Sequence, residues 1–290
     1  MISGYTALYG LIAHPAQHSL SPFIHNTGFH QIQMDARYAV FDSQATPAAI
    51  TSAIKTLGIR GVNLSMPYKQ SLVPLVDNLT STAKLVGAIN TIKNEAGRLT
   101  ATNTDGDGFW CALQKAHPQR RYRSVTILGA GGAALAVIEA AVRYGVQQVT
   151  VFKRANATYD SVIQRLAQIS LASGLQIIVE PYDDQLALAT ALQNADCLIN
   201  ATNIGMTATP GNPLPINLLQ YLPEDSLVAD LIYAPRETAF LKTAQKAHYQ
   251  IQNGLGMLIE QAALSFEFWT NESMTTMPIY QHLTGGNDAS

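Results

Sequence analysis

The run Gly129-Ala130-Gly131-Gly132-Ala133-Ala134 follows the apolar segment Val125-Thr126-Ile127-Leu128 and leads into small apolar residues that continue to Arg143. Strand, glycine turn and helix in that order match the G-x-G-x-x-A fingerprint of dinucleotide binding. Glycine lets the backbone turn sharply and approach a pyrophosphate, whose charge then meets free amides and the positive end of the helix dipole. The bland alternative is a glycine-rich turn without ligand. One strand later the chain reads Phe152-Lys153-Arg154-Ala155-Asn156, with no carboxylate before Asp160. An acidic residue there holds a ribose 2′-hydroxyl, whereas cations accept a 2′-phosphate, so Lys153 and Arg154 favour NADP over NAD; as two plain surface cations they favour neither.

A second group of chemistry-bearing residues lies nearer the N-terminus. In HPAQHSLSP, Ser19 and Ser21 precede a helix start with Pro22 at its first position, a geometry suited to a carboxylate; Ser21 as a simple N-cap explains half of it. His14 and His18 have a helical metal-pair spacing, but a proline-containing loop without nearby carboxylate or cysteine argues against a metal. The segments GVNLSMPYK, INT and NTDGDG read as the ends of three strands and present Asn63, Ser65, Lys69, Asn90 and Asp105. Ligands of open α/β sheets collect at strand ends, and amides and carboxylates there can hydrogen-bond a polyol. Each, taken singly, is equally a turn residue.

These residues need elements to position them. In the N-terminal third, predicted strands at 7–12, 37–41, 61–64, 88–93 and 99–103 alternate with helices opened by Ser21-Pro22 and by Thr46-Pro47, the latter closed at Gly58. After the polar stretch 115–124 a second series begins: strands at 125–128, 148–152, 175–179, 197–200 and 226–231, with helices between them. Regular alternation predicts parallel strands with crossover helices, the doubly wound arrangement. The apolar segment 255–269 is too long for a strand and reads as a buried helix packing back on the first unit.

A chain of 290 residues that is 47% hydrophobic and 13% charged has material for two cores. A net charge of −2 lacks the footprint of nucleic-acid binding, and Arg120, Arg121 and Arg123 read as a solvated loop. Cys111 and Cys197 fall in a helix and a buried strand, so they read as core residues of a protein in a reducing compartment. With no basic-flanked leader and no apolar run of about 18 residues, the expectation is a cytoplasmic protein away from membranes.

Taken in order, HSLSP (18–22), NLSMPYK (63–69), GAINT (87–91), NTDG (103–106), GAGGAA (129–134), NAT with GM (200–206), DLIY (230–233) and GLGMLIEQA (254–262) resemble the shikimate dehydrogenase family over nearly the whole chain. The resemblance implies an N-terminal α/β substrate-binding domain (1–105), a Rossmann-like doubly wound NAD(P)-binding domain (106–250) and C-terminal helices (251–290), with the active site in the cleft between the domains. It implies reversible NADP-dependent reduction of 3-dehydroshikimate to shikimate, in aromatic amino-acid biosynthesis, with Lys69 and Asp105 as the catalytic pair. Ser19 and Ser21 would hold the substrate carboxylate, and Ser65, Asn90, Asp105 and Gln261 the ring hydroxyls, with Asn63 lining the pocket and Tyr233 reaching it. Gly129, Ala130, Gly131, Gly132, Ala133, Lys153, Arg154, Thr202 and Gly254 would hold the cofactor. No metal is implied, and the partners are small molecules, with a monomer or homodimer as the assembly.

The sequence departs from the family pattern at named places. Ala13 stands where a glycine is usual, Leu135 replaces an arginine common in NADP-specific members, and Lys153-Arg154-Ala155 replaces an Asn-Arg-Thr signature. SMPYKQ, AKLVGAINTI and the long segment 156–174 look like the quinate/shikimate branch, whose members also use NAD, although an aspartate is frequent there in place of Asn156. The alternatives are therefore a quinate/shikimate dehydrogenase using NAD or NADP, a non-catalytic shikimate-sensing module, and a similar dehydrogenase acting on folate or an amino acid. Retention of both Lys69 and Asp105 argues against the sensor.

Overall fold

In the computed structural model, which describes residues 2–285, the alternating pattern folds into two α/β units. One contains the chain up to Gly108 and resumes at Ile259, and the other is Phe109–Leu258. The first carries β1 (Ala7–Ala13), α1 (Ser21–Gln31), β2 (Ala36–Asp42), α2 (Pro47–Thr56), β3 (Gly61–Leu64) and α3 (Tyr68–Ser71). It continues with β4 (Asn78–Leu79), α4 (Ser81–Val86), β5 (Thr91–Glu95), β6 (Arg98–Thr102) and α5 (Asp105–Ala116), whose first turn closes this part of the unit. Helix α2 starts as its residues require: Thr46 accepts a hydrogen bond from the Ala49 amide, Pro47 occupies the first turn, and Gly58 follows in the left-handed region at φ +62°.

The six strands lie in the order β2-β1-β3-β5-β6-β4. Strand β1 is parallel to both β2 and β3, whereas β5 is antiparallel to β3 and to β6. The reversal comes from the two-residue loop Ala96-Gly97, both at positive φ (52° and 87°), which is the backbone a tight hairpin needs. This hairpin carries β5 on to Glu95, later than the predicted strand at 88–93. Ile54, Val62, Leu64, Ile89, Ile92 and Leu99 form the heart of one core beneath the sheet, all 2% exposed or less; burying each contributes about 1.5–3 kcal/mol.

The second unit carries β7 (Ser124–Leu128), α6 (Gly132–Ala141), β8 (Gln148–Lys153), α7 (Tyr159–Ser173), β9 (Gln176–Pro181), α8 (Gln185–Leu192), β10 (Cys197–Asn200), β11 (Leu227–Asp230), α9 (Ala239–Lys246) and β12 (Gln250–Gln252). Its strands are all parallel, in the order β12-β11-β10-β7-β8-β9. The chain moves outward from β7 in one direction and then from β10 in the other, so the strand order reverses between β7 and β10, the place where open α/β sheets take their ligands. Strand β12, Gln-Ile-Gln, is too short and polar to show an apolar run and was not expected from the sequence. Helix α10 (Leu255–Thr270) begins in this unit, and from Ile259 belongs to the first, as does α11 (Met277–Thr284). There Trp269 donates its indole N–H to the Ile92 carbonyl at 2.9 Å and tilts against Tyr9. Among the described residues no helix is long and apolar enough to cross a membrane.

Candidate active site

Strand direction in the first unit gathers three chain segments at one edge of the sheet. Parallel to β1, β3 ends at Leu64 and runs into Ser65; the antiparallel β5 begins there, with Asn63 paired to Thr91; β6 returns there, with Thr91 paired to Thr102. Asn90 therefore precedes a strand instead of ending one, a correction to the sequence reading. Its position at the edge is unchanged because β5 runs opposite to β3.

Lys69, on α3, donates to Asp105 Oδ2 at 2.6 Å. Asp105 opens α5, where the helix dipole favours a carboxylate. Its side chain is 6% exposed against 26% for Lys69, so the pair is sheltered on the carboxylate side and open on the ammonium side. The other carboxylate oxygen accepts Asn90 Nδ2 at 2.8 Å. That amide can face only one way: Asn90 Oδ1 accepts the Thr104 backbone N–H at 2.9 Å, which fixes Nδ2 toward Asp105. Asn90 Nδ2 also lies 3.2 Å from Gln261 Oε1 and 2.9 Å from Thr104 Oγ1. Asn103 anchors the turn, accepting the Asp105 N–H at 3.0 Å and donating to the Ala88 carbonyl at 3.0 Å.

Asn63 is at the same edge, 6% exposed. Its Oδ1 accepts from Tyr38 Oη at 2.9 Å, and its Nδ2 faces the Asn90 carbonyl, Thr91 Oγ1 and Ser265 Oγ at 3.1–3.2 Å. Its donors and acceptor are thus engaged by the protein, which makes it a brace behind Asn90. Tyr38 stacks on His25, with ring centroids 4.4 Å apart. His25 is fully buried, and among the described residues neither ring nitrogen has a hydrogen-bond partner. Burial lowers its pKa to about 3, against a smaller upward pull from Asn63, so the ring is neutral at physiological pH. Burial likewise raises the pKa of Tyr38 well above the ordinary phenol value.

The serine loop is built on Asp42. Asp42 Oδ1 accepts His14 Nδ1 at 2.6 Å and Oδ2 accepts the Ala16 amide at 3.2 Å; these contacts, the histidine first, lower the Asp42 pKa. The Ala16 carbonyl accepts the Ser19 N–H at 3.1 Å, and Ser19 Oγ accepts the Ser21 N–H at 3.2 Å. Helix α1 starts at Ser21 after Leu20, with no side-chain cap. The N-cap reading of Ser21 is therefore corrected, and its hydroxyl is not used in capping.

In the second unit the glycine turn connects β7 to α6. Gly129 has φ +97°, and a side chain there would come within 2.9 Å of Thr202 Cγ2, so both the turn and the β10 loop demand glycine. Among the described residues nothing lies within 4 Å of the Cβ position at Gly131, and none caps the start of α6 with its side chain. The amides that open α6, from Gly132 and Ala133, have no intrahelical partner, as at any helix start, and lie next to the open position at Gly131, which Ala130 precedes. Thr202 Oγ1 donates to Asn200 Oδ1 at 2.7 Å, and Asn200 in turn donates to the buried Asp230 at 3.1 Å. Tyr233 follows β11, and Gly254, where a Cβ would sit 2.1 Å from the Leu231 carbonyl oxygen, precedes α10. Lys153 is 5% exposed and donates to Asn156 Oδ1 at 2.9 Å and Thr158 Oγ1 at 3.1 Å, while Arg154 is exposed. Burial, then repulsion from Arg154, lowers the Lys153 pKa.

Residues 11–92 match the shikimate dehydrogenase substrate binding domain, and residues 254–282 match the shikimate 5′-dehydrogenase C-terminal domain. The shikimate dehydrogenase (NADP(+)) of Lactococcus lactis subsp. cremoris is 39% identical over 274 residues, 94% of this chain and 95% of that one. The chain belongs to the shikimate dehydrogenase family. The crystal structure of the Listeria monocytogenes shikimate 5-dehydrogenase in complex with shikimate and NAD superposes with a TM-score of 0.88 at 33% identity, covering 97% of this chain and 98% of that one. Quinate dehydrogenase from Corynebacterium glutamicum in complex with NAD gives 0.84 at 29% identity, covering 97% and 99%.

Within this shikimate dehydrogenase family member, the structure brings Asn63, Lys69, Asn90, Asp105 and Gln261 into one hydrogen-bonded group. Ser65 follows β3 directly, half-buried, its amide bonded to the Ile12 carbonyl. Sequence reading missed Thr104 and Ser265. The signal for Ser265 was its spacing, four residues after Gln261 and so on the same helix face; Thr104 adjoins Asp105 in NTDG but reads as an ordinary turn residue.

Proposed function

We propose that this protein catalyses the reversible NADP-dependent oxidation of shikimate to 3-dehydroshikimate. The observation that carries the reading is the Lys69–Asp105 pair, 2.6 Å apart, oriented by Asn90 at the sheet edge. The unit that ends at Gly108 and resumes at Ile259 serves as the substrate unit, and Phe109–Leu258 as the cofactor unit. Ser19 and Ser21 hold the substrate carboxylate, and Ser65, Asp105 and Gln261 take the ring hydroxyls, with Tyr233 as a further substrate contact and Asn90, 2% exposed and with its amide engaged by Asp105 and Thr104, setting the Asp105 carboxylate.

The second unit fits a dinucleotide. The open space beside Gly131, the uncapped start of α6 and the lack of a carboxylate at the end of β8 suit a pyrophosphate and a 2′-phosphate, with Thr202 against Gly129 in the turn and Gly254 before α10 as further cofactor contacts. Arg154 is the exposed cation for the 2′-phosphate, while Lys153 braces its loop through Asn156 and Thr158. A nicotinamide bound there would supply the acceptor for the hydride of the shikimate carbinol carbon, and the hydride donor in the reverse direction.

Oxidation also removes the hydroxyl proton, and Lys69 is the group that moves it: in the reductive direction its ammonium gives a proton to the carbonyl oxygen, and in the oxidative direction it takes the proton back. Asp105 holds Lys69 through one oxygen and is held by Asn90 through the other, so the ammonium needs little reorganisation during turnover. On this reading the partners are small molecules, and the protein works in the cytoplasm as a monomer or homodimer. Initial rates with shikimate and quinate, each with NADP and NAD, test the assignment. Shikimate with NADP is expected to give the highest kcat/KM, while a higher value for quinate or NAD would place the protein in the quinate/shikimate branch.

A further inference from the structure

Ser265 lies on α10 one helical turn after Gln261 and is 0% exposed. A serine inside a helix ordinarily returns its hydroxyl to the carbonyl four residues back. Ser265 Oγ does approach the Gln261 carbonyl at 2.9 Å, but it also lies 2.7 Å from Thr91 Oγ1, 3.1 Å from Thr104 Oγ1 and 3.1 Å from Asn63 Nδ2. One hydroxyl therefore joins β3, the start of β5, the turn after β6 and α10.

A hydroxyl has one proton to give, and its surroundings decide where that proton goes. Thr91 Oγ1 is 2.9 Å from Asn90 Oδ1, which can only accept, so the Thr91 proton points there. Two hydroxyl oxygens 2.7 Å apart need a proton between them, so Ser265 is then the donor and Thr91 the acceptor, and the Gln261 carbonyl, 2.9 Å from Ser265, takes its hydrogen bond from Thr104 Oγ1 at 3.0 Å. Asn63 Nδ2 supplies a proton to Ser265. The resulting order runs Asn63 Nδ2 to Ser265, Ser265 to Thr91, Thr91 to Asn90 Oδ1, and Asn90 Nδ2 to Asp105 Oδ1. Each donor in this buried series polarises the next.

We propose that Ser265 is a positioning residue for the catalytic pair, acting through Thr91 and Asn90 on the carboxylate of Asp105 that holds Lys69. The inference rests on the dehydrogenase reading above. Without the Ser265 hydroxyl, Thr91 keeps Asn63 Nδ2 as a donor at 3.1 Å but loses the shorter 2.7 Å contact that holds its rotamer, so its hydrogen bond to Asn90 Oδ1, which supplements that of the Thr104 N–H, sets the Asn90 amide less firmly against Asp105.

The test is steady-state shikimate oxidation by the full-length protein and by Ser265→Ala, alone and combined with Asn90→Ala. Ser265→Ala is expected to lower kcat about tenfold while KM for shikimate stays within about twofold, as for a group that acts on the transition state and not on substrate affinity. Its thermal midpoint is expected to fall, because buried Asn63 Nδ2 and Thr91 Oγ1 each lose a partner, and in the Asn90→Ala background the kcat effect is expected to vanish. An unchanged kcat in a folded Ser265→Ala protein overturns the proposal, as does an equal loss in the Asn90→Ala background. If Ser265→Ala does not fold, Ser265→Cys, which keeps a heavy atom in place but only a weak donor, carries the same expectation and the same refutation. A wild-type protein without turnover overturns the dehydrogenase reading itself, and this inference with it.

Discussion

Asp42 shows how a residue outside the reacting groups governs the site. Its carboxylate ties His14 and the Ala16 amide, and the Ala16 carbonyl ties Ser19, whose hydroxyl receives the Ser21 amide. Asp42→Ala releases the loop that presents both serines, so the expected outcome is a KM for shikimate raised about three- to tenfold with a much smaller change in kcat, measured by steady-state kinetics. Equal KM values would show that the loop holds its shape without the aspartate. At this scale the sequence exposes residue types better than partners. Lys69, Asn90 and Asp105 stand out because amide, ammonium and carboxylate groups cluster near strand ends. Ser265 and Gln261 reach the same group from about 160 residues further along, and no local spacing links them to Asp105. For Lys153 the sequence shows a cation but not its burial among Asn156 and Thr158, which depends on how the β8–α7 loop folds.

Elements bring these residues together through strand direction. Parallel β3 and antiparallel β5 and β6 place one strand's end beside another's beginning, which is why Asn90 serves the site from the start of β5. Apolar runs identify the longer strands, but Asn78–Leu79 and Gln250–Gln252 are too short to show periodicity, and the Ala96-Gly97 hairpin lacks the asparagine or aspartate that usually advertises a tight turn. Close packing of α5 and α10 is equally silent in sequence. A Cβ on Gly108 would meet Gln261 N at 2.6 Å and Gln261 Cα at 2.7 Å, both backbone atoms that cannot rotate away. Gly108→Ala is expected to destabilise the protein by about 1–3 kcal/mol, read from urea unfolding, and to raise KM for shikimate as Gln261 is displaced. Unchanged stability would mean that the two helices separate at little cost.

For the whole molecule, the buried His25 links stability to pH. Its folded pKa of about 3 lies below the ordinary 6.5, so in that window the unfolded chain binds a proton that the folded protein refuses. The stability contributed by the neutral ring is complete above pH 6.5 and is lost as pH falls toward the folded value. The expected slope is about 1.4 kcal/mol per pH unit, and urea unfolding between pH 6.5 and about pH 4.5 isolates it from most carboxylate titration. His25→Phe keeps a ring against Tyr38 and removes two unpartnered nitrogens, so its unfolding free energy should vary less over the same range; an identical slope would assign the effect to other groups. The central claim concerns the Lys69–Asp105 pair, and Lys69→Ala tests it most directly through the rate of NADP reduction by shikimate alongside shikimate affinity by calorimetry. The account predicts that kcat falls about a hundredfold to ten-thousandfold while shikimate still binds. A Lys69→Ala protein that keeps kcat within about twofold of wild type would contradict the assignment of Lys69 as the proton-transferring group.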